Sequence, residues 1–268
     1  MTLAAMKIGC CGSMVTSHLS GIGFEVMERL EELGYDYIEL SLAHIARLSP
    51  DEFAQFKEYI HASKLECLAC NNFFPAEIRL TGENANMDQI MAYVDHALAR
   101  AGQLGVKFIV FGSSGAKNVP PGFSHAEAWQ QIITVLREID PIAAKYGITI
   151  CIEPLNKKES NIVNTVAEGL QLAKEVDREH IKLLADYYHM ALEGEPLSIL
   201  ESAIDYIKHT HFADPCGRVF PLKPTDQYTQ FITKLKELNY TGGISIEAYS
   251  DDFTNDAETA IGILKQYT

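Results

Sequence analysis

Cysteine, basic charge and long apolar runs are all scarce in this 268-residue sequence. Six cysteines over such a length are too few for a disulfide scaffold, which belongs to short secreted domains. Two of them stand at CxxC spacing in Cys67-Leu68-Ala69-Cys70, but no second pair completes a zinc site. The run Leu65–Cys70 reads as a strand, where residues three apart point to opposite faces, and this predicts packed thiols rather than ligands. Lysine and arginine number 22 against 36 aspartate and glutamate residues, a formal net charge of −14. Gripping a phosphate backbone needs a basic footprint, so no nucleic-acid partner is expected. No apolar run approaches the roughly 18 residues of a membrane helix, so no membrane partner is expected either. The opening Met1-Thr2-Leu3-Ala4-Ala5-Met6-Lys7 has no basic segment followed by an apolar stretch. No signal peptide is read there, and the expected location is cytoplasmic.

Apolar residues make up 47% of the chain, enough for a sizeable core, and they are arranged in alternating short runs and helical patterns. Strands are predicted over Met6–Cys11, Tyr35–Leu40, Leu65–Cys70, Val106–Phe111, Ile148–Glu153, Ile181–Asp186, Ile207–Ala213 and Gly243–Ala248. Helices are predicted over Phe24–Leu33, Asp51–Ser63, Met87–Leu104, Ala126–Tyr146, Val166–Val176, Leu197–Tyr206, Thr225–Leu238 and Asp256–Gln266. The junctions Leu33-Gly34-Tyr35, Leu104-Gly105-Val106, Tyr146-Gly147-Ile148 and Asn239-Tyr240-Thr241-Gly242 each carry a glycine suited to end a helix in the left-handed region. Near-continuous apolar strands fit a parallel sheet with both faces covered. Eight such units in about 260 residues is the arithmetic of a single-domain α/β protein of the (β/α)8 TIM-barrel type, spanning residues 1–268. The competing open doubly wound sheet places a glycine-rich phosphate loop after its first strand, and Cys10-Cys11-Gly12-Ser13 supplies none.

In such a barrel, functional groups stand at the C-terminal ends of the strands. There the sequence places Glu39, Glu153, Asp186, His209 and His211 with Asp214 beyond, and Glu247. Charged side chains are seldom fully buried without a partner, so several acids and a histidine on one rim call for a cation. Glu153, Asp186, His211 and Glu247 fall on four consecutive strands. Three carboxylates and an imidazole suit one divalent ion, Mn²⁺ first, with Mg²⁺, Co²⁺ or Zn²⁺ as alternatives. Of the two histidines, which alternate along one strand, one is a ligand candidate and the other a core or supporting group. Phe73, Phe74, Tyr187, Tyr188 and Phe212 are candidates either to flank a substrate or to fill the core. Asn71 and Asn72 fall in a substrate-facing loop, and Phe111–Asn118 is either a set of backbone donors or a flexible turn.

The stretches Ile152-Glu153-Pro154-Leu155-Asn156, Asp186-Tyr187-Tyr188-His189-Met190, His209-Thr210-His211 with Arg218, and Ile246-Glu247 resemble the xylose-isomerase-like barrel superfamily. Within it the likeness is greatest to ketose 3-epimerases of the D-tagatose and D-psicose type and to enzymes acting on 3-keto-glycosides. The resemblance implies a metal-dependent isomerase or epimerase that removes a proton next to a metal-held carbonyl. It implies Glu153, Asp186, His211 and Glu247 as metal ligands, with Glu153 and Glu247 doubling as the acid/base pair on opposite faces of the sugar. It further implies substrate contacts from Glu159, His189 and Arg218, and a supporting role for His209. A small-molecule sugar is the implied partner, and relatives form homo-oligomers, dimers or tetramers.

Three rivals are weighed. A lyase cleaving 3-oxo-glycosides shares the first step and the look of the Val119-Pro120-Pro121-Gly122-Phe123 loop; it would bring a second subunit, with His125 either an acid/base or a helix start. An apurinic endonuclease needs further metal-binding histidines where this chain has Asn71/Asn72 and Gly112/Ser113. A sugar-binding barrel without catalysis sits poorly with the intact set of acids.

Overall fold

The structure, a computed structural model, describes residues 6–16 and 19–267. Residues 1–5, on which most of the expectation about the N-terminus rests, lie outside the described residues. The strands are β1 (Lys7–Cys11), β2 (Tyr37–Ser41), β3 (Glu66–Asn71), β4 (Phe108–Phe111), β5 (Thr149–Ile152), β6 (Ile181–Asp186), β7 (Ile207–Phe212) and β8 (Gly243–Ile246). They pair in parallel and in sequence order, and β8 closes back on β1. The result is the expected (β/α)8 TIM barrel. Its outer helices are Met27–Leu33, Pro50–Ala62, Met87–Gln103, His125–Tyr146, Val166–Val176, Ile199–Ala203, Asp226–Glu237 and Phe253–Leu264. Among the described residues, no helix is long and apolar enough to cross a membrane.

Local chemistry sets the helix ends. Ser49 and Glu52 form a reciprocal capping box around Pro50 at the first helical position, satisfying donors the helix itself leaves open. Gly34 and Gly147 end their helices at φ +79° and +64°. At the fourth junction the left-handed residue is Asn239, at φ +57°; Gly242 is there for space, since a Cβ on it would lie 2.3 Å from the Tyr240 hydroxyl.

Short helices at Gly12–Val15, Leu42–Arg47, Ser114–Lys117 and Tyr187–Glu193 follow β1, β2, β4 and β6 at the mouth of the barrel. None was expected, because fewer than two turns carry too few residues to show a helical period. The stretch Ser114–Lys117 is therefore helical rather than a flexible turn, with the left-handed Ser113 (φ +38°) leading into it.

The CxxC segment differs from expectation in its geometry. The β2–β3 register jumps from Ile38↔Cys67 to Glu39↔Ala69, leaving Leu68 as an extra residue. Such a bulge resets the alternation, so Cys67 and Cys70 both join the apolar layer under the helices. Both are free and buried, as expected of packed thiols.

The outward-facing apolar strand side chains feed that outer layer, including Ile8, Ile38, Ile109, Ile150, Leu183 and Ile244. The interior splits in two. Val110, Cys151 and Leu184, with Phe108, form a small apolar plug. Opposite it, contacts between β2 and the non-adjacent β7 and β8 cross the barrel: Glu39 to His209 and His211, and Tyr37 to Ser245. Polar groups are thus packed on the strands that lead up to the mouth.

Candidate active site and metal centre

Four strand ends in a row build the site. Glu153 directly follows β5, Asp186 ends β6, His211 lies in β7 and Glu247 directly follows β8. Asp186 is registered against His211, and Phe212 against Ile246, the residue before Glu247. One donor atom from each of the four lies within 4.8 Å of the others, and none of the residues is more than 6% exposed.

Each side chain is held from outside the cluster. Asp186 caps the helix Tyr187–Glu193, its Oδ1 accepting from the amides of Tyr188 (2.6 Å) and His189 (3.4 Å). Glu247 Oε1 accepts from Asn71 Nδ2 at 3.1 Å, and Asn71 Oδ1 accepts from Ser13 at 3.2 Å. Arg218 pairs with Glu247 Oε2 through one nitrogen and with Glu159 at 3.2 Å through another. Its guanidinium lies 4.8 Å above the Tyr188 ring, and its backbone is left-handed, at φ +53°. Gly112 makes room for Glu153: a Cβ there would stand 2.2 Å from Glu153 Oε2. Lys117, fully buried, donates to the Glu153 main-chain oxygen at 3.2 Å. Burial lowers its pKa to about 8, against the pull of Glu153 and Glu159.

His211 Nδ1 is 2.9 Å from Glu153 Oε1 and 3.2 Å from Glu247 Oε2, while Nε2 is 3.0 Å from Glu39 Oε1. Burial disfavours an imidazolium, but Glu39 and Glu247 outweigh it and raise the His211 pKa well above its ordinary value. The two glutamates lean in opposite directions. Burial and then the charge of Glu247 raise Glu153, with His211 opposing. Burial also acts to raise Glu247, but His211 and Arg218 outweigh it and hold this carboxyl well below the usual range. Neighbouring acids pushed apart in this way are equipped for different jobs.

His189 is equally constrained. Its Nδ1 accepts the Asn156 amide proton at 3.1 Å, so a neutral ring carries its proton on Nε2. Among the described residues that Nε2 has no hydrogen-bond partner, and it lies 3.5 Å from Asp186 Oδ2. A buried donor without a partner, beside a carboxylate of the cluster, is poised to bind what enters the site.

The structure thus brings Glu153, Asp186, His211, Glu247, His189, Arg218 and Glu159 together. Lys157, two residues before Glu159, points elsewhere and bridges to Glu193. Asp214 also stands apart, accepting from the Cys216 amide and from Tyr228. Tyr187 stacks on Phe212 against Tyr228 and Phe231, and Phe73 packs on Phe74, so Tyr187, Phe212, Phe73 and Phe74 serve the core. Tyr188 supports Arg218. Asn71 positions Glu247, whereas Asn72 is exposed. His125 starts the helix His125–Tyr146 and is exposed. Two supporting residues escaped the sequence reading. Gly112 gave no signal beyond lying in a small-residue loop, and Lys117 reads as a surface lysine until its burial is seen.

Three carboxylates around one imidazole suit a divalent cation of the hard or borderline kind. Among the described residues, His211 lies against Glu153 and Glu247, Arg218 pairs with Glu247, and His189 stands 3.5 Å from Asp186.

Comparison with known proteins agrees with this architecture. A family model described as "Xylose isomerase-like TIM barrel" matches residues 27–267. The chain is 26% identical over 230 residues to a D-psicose 3-epimerase of Agrobacterium fabrum, covering 83% of this chain and 78% of that protein. It is 26% identical over 234 residues to the 3-dehydro-D-guloside 4-epimerase of Escherichia coli, covering 83% and 86%. The crystal structure of D-psicose 3-epimerase with D-tagatose from Clostridium cellulolyticum superposes with a TM-score of 0.85 at 20% identity, over 98% of this chain and 99% of that one. With 241 consecutive residues matched, from 27 to 267, the chain belongs to the xylose isomerase-like TIM barrel family.

Proposed function

We propose that the protein is a divalent-metal-dependent epimerase or isomerase of a keto sugar or keto-glycoside. The observation that carries this reading is the pairing of Glu153 and Glu247. Both carboxylates lie within 3.2 Å of one imidazole nitrogen, yet they have opposite tendencies to hold a proton. The sugar epimerases among its relatives support the same class.

Glu153, Asp186, His211 and Glu247 would hold the ion, manganese in the first instance. Bound there, it supplies the positive charge that makes a C–H next to a carbonyl acidic enough for a carboxylate to remove. Glu247, kept anionic by Arg218 and oriented by Asn71, takes the α proton. Glu153 returns one from the other side, and the carbon is inverted. In the reverse direction the two exchange roles. His189 Nε2–H donates to a substrate oxygen, and Arg218 with Glu159 positions the sugar hydroxyls.

Deuterium incorporation from D₂O, followed by NMR across ketoses, sugar phosphates and 3-oxo-glycosides, tests the proposal. Wild-type protein with Mn²⁺ exchanges the α proton of at least one substrate, and a chelator stops the exchange. Glu153→Gln and Glu247→Gln each abolish it; exchange retained in either variant contradicts the acid/base assignment. Loss of an aglycone from a 3-oxo-glycoside in the same tubes would instead identify the lyase.

A further inference from the structure

We propose that Glu39 is a positioning residue of the candidate metal centre, holding His211 through Nε2 so that Nδ1 faces the ion. The inference rests on the reading of Glu153, Asp186, His211 and Glu247 as ligands. Glu39 lies on β2, with β8 and β1 between it and β7, so it reaches His211 only across the barrel interior. It is fully buried. A buried carboxylate is costly unless its surroundings compensate it, and apolar residues fill an interior more cheaply. Glu39 therefore needs an explanation beyond space filling.

Its hydrogen bonds supply one. Oε1 is 3.0 Å from His211 Nε2, while Oε2 is 2.8 Å from His209 Nε2 and accepts from Ser245 Oγ at 2.8 Å. Ser245 is in turn 2.9 Å from the Tyr37 hydroxyl. Tyr37 lies across the barrel floor, in space that a Cβ on Gly9 or Gly243 would occupy, 2.2 and 2.5 Å from its side chain. The chain of contacts runs from a tightly packed floor to one nitrogen of one candidate ligand. An imidazole that donates its far N–H to a fixed carboxylate presents the opposite lone pair to a metal, with ring orientation and tautomer both set.

A competing use of the same atoms is a second cation site, since Cys11, Glu39 and His211 also cluster within 4.8 Å. His211 Nε2 is already engaged by Glu39, however.

Calorimetric titration of the full-length, metal-stripped protein with Mn²⁺ and with Co²⁺ tests the inference, using wild type, Glu39→Gln, His211→Ala and the double variant. Wild type binds one ion; if it binds none, the ligand reading fails and not this one. Glu39→Gln weakens binding about 10- to 100-fold and shifts the visible absorption of bound Co²⁺. Adding Glu39→Gln to His211→Ala changes the affinity by less than about twofold, because Glu39 acts through His211. Wild-type affinity in Glu39→Gln, losses that multiply in the double variant, or two ions per chain would each overturn the proposal. Should Glu39→Gln fail to fold, Ser245→Ala loosens Glu39 without removing a charge. It is expected to weaken binding by about threefold or more, and an unchanged affinity overturns the proposal equally.

Discussion

Replacing Gly112 by alanine tests how tightly the Glu153 carboxylate must be placed. An alanine Cβ would lie 2.2 Å from Glu153 Oε2 and 3.3 Å from its Cδ, with Leu155 behind at 3.6 Å. Carbon and oxygen do not approach much closer than about 3.2 Å without a bond, so the carboxylate must retreat by about 1 Å. The backbone of Gly112 is not left-handed, so alanine suits it and the perturbation stays at the side chain. Glu153 Oε1 is 2.9 Å from His211 Nδ1; a displacement of that size breaks this contact and spoils the shared donor set. A misplacement of about 1 Å can cost about 100-fold in rate, whereas overpacking costs about 1–3 kcal/mol in stability. The expected result is a fall of about 100-fold in α-proton exchange with weaker Mn²⁺ binding, in a protein that still melts cooperatively. Gly262→Ala is the control. It is an exposed helical position where an added Cβ meets nothing within 4 Å, and neither exchange nor metal affinity should move. Exchange and metal affinity in Gly112→Ala within about threefold of wild type would refute the argument that this glycine is there to seat Glu153.

Metal uptake should depend on pH, because His211 holds its proton between carboxylates that raise its pKa well above the ordinary value. An ion must displace that proton, so apparent Mn²⁺ affinity rises with pH, by up to about tenfold per unit, for as long as the pH stays below the raised folded-state pKa of His211; a flat titration series would contradict it. Stability of the ion-free protein follows the opposite sign for His211. Its contribution is complete below the unfolded-state pKa of about 6.5 and is lost as pH rises through the folded value. The lowered Glu247 contributes above about pH 4.5 and loses its share as pH falls through its folded pKa, which urea titrations at several pH values can resolve. Gly9→Ala drives a Cβ to 2.2 Å from the Tyr37 ring and should destabilise the barrel by about 1–3 kcal/mol. The urea midpoint reads this, and an unchanged midpoint would mean that the ring is free to move aside.

How much of this molecule is legible in its sequence depends on how far each property reaches along the chain. The alternation of apolar strands and amphipathic helices is local, and it survives into eight closed strands with only the short mouth helices missed. The turn at Asn239 shows the limit of a residue-type rule: asparagine takes the left-handed conformation where the nearby glycine was expected to. The β3 bulge shows another limit. The extra residue at Leu68 is defined by its pairing with β2, so nothing inside Leu65–Cys70 reveals that Cys67 and Cys70 share a face.

The site divides along the same line. Glu153, Asp186, His211 and Glu247 can be picked out because each is a polar group at the end of an apolar run, and a barrel sends all such ends to one mouth. Glu39 also stands out, as a charge between Ile38 and Leu40, yet its strand position gives no hint of its partner. The nearest nitrogens lie 170 and 172 residues away in sequence, on a strand that β2 does not touch in the sheet. Lys117 and Gly112 are silent for a related reason. Their importance lies in the space around Glu153, and that space exists only once β4 and β5 are side by side. Strand ends thus disclose which groups meet at the mouth, whereas the groups that aim them are recognised by closure of the barrel alone. That is why the variants most informative about this protein are Gly112→Ala and Glu39→Gln, which leave every candidate ligand in place and change only how it is held.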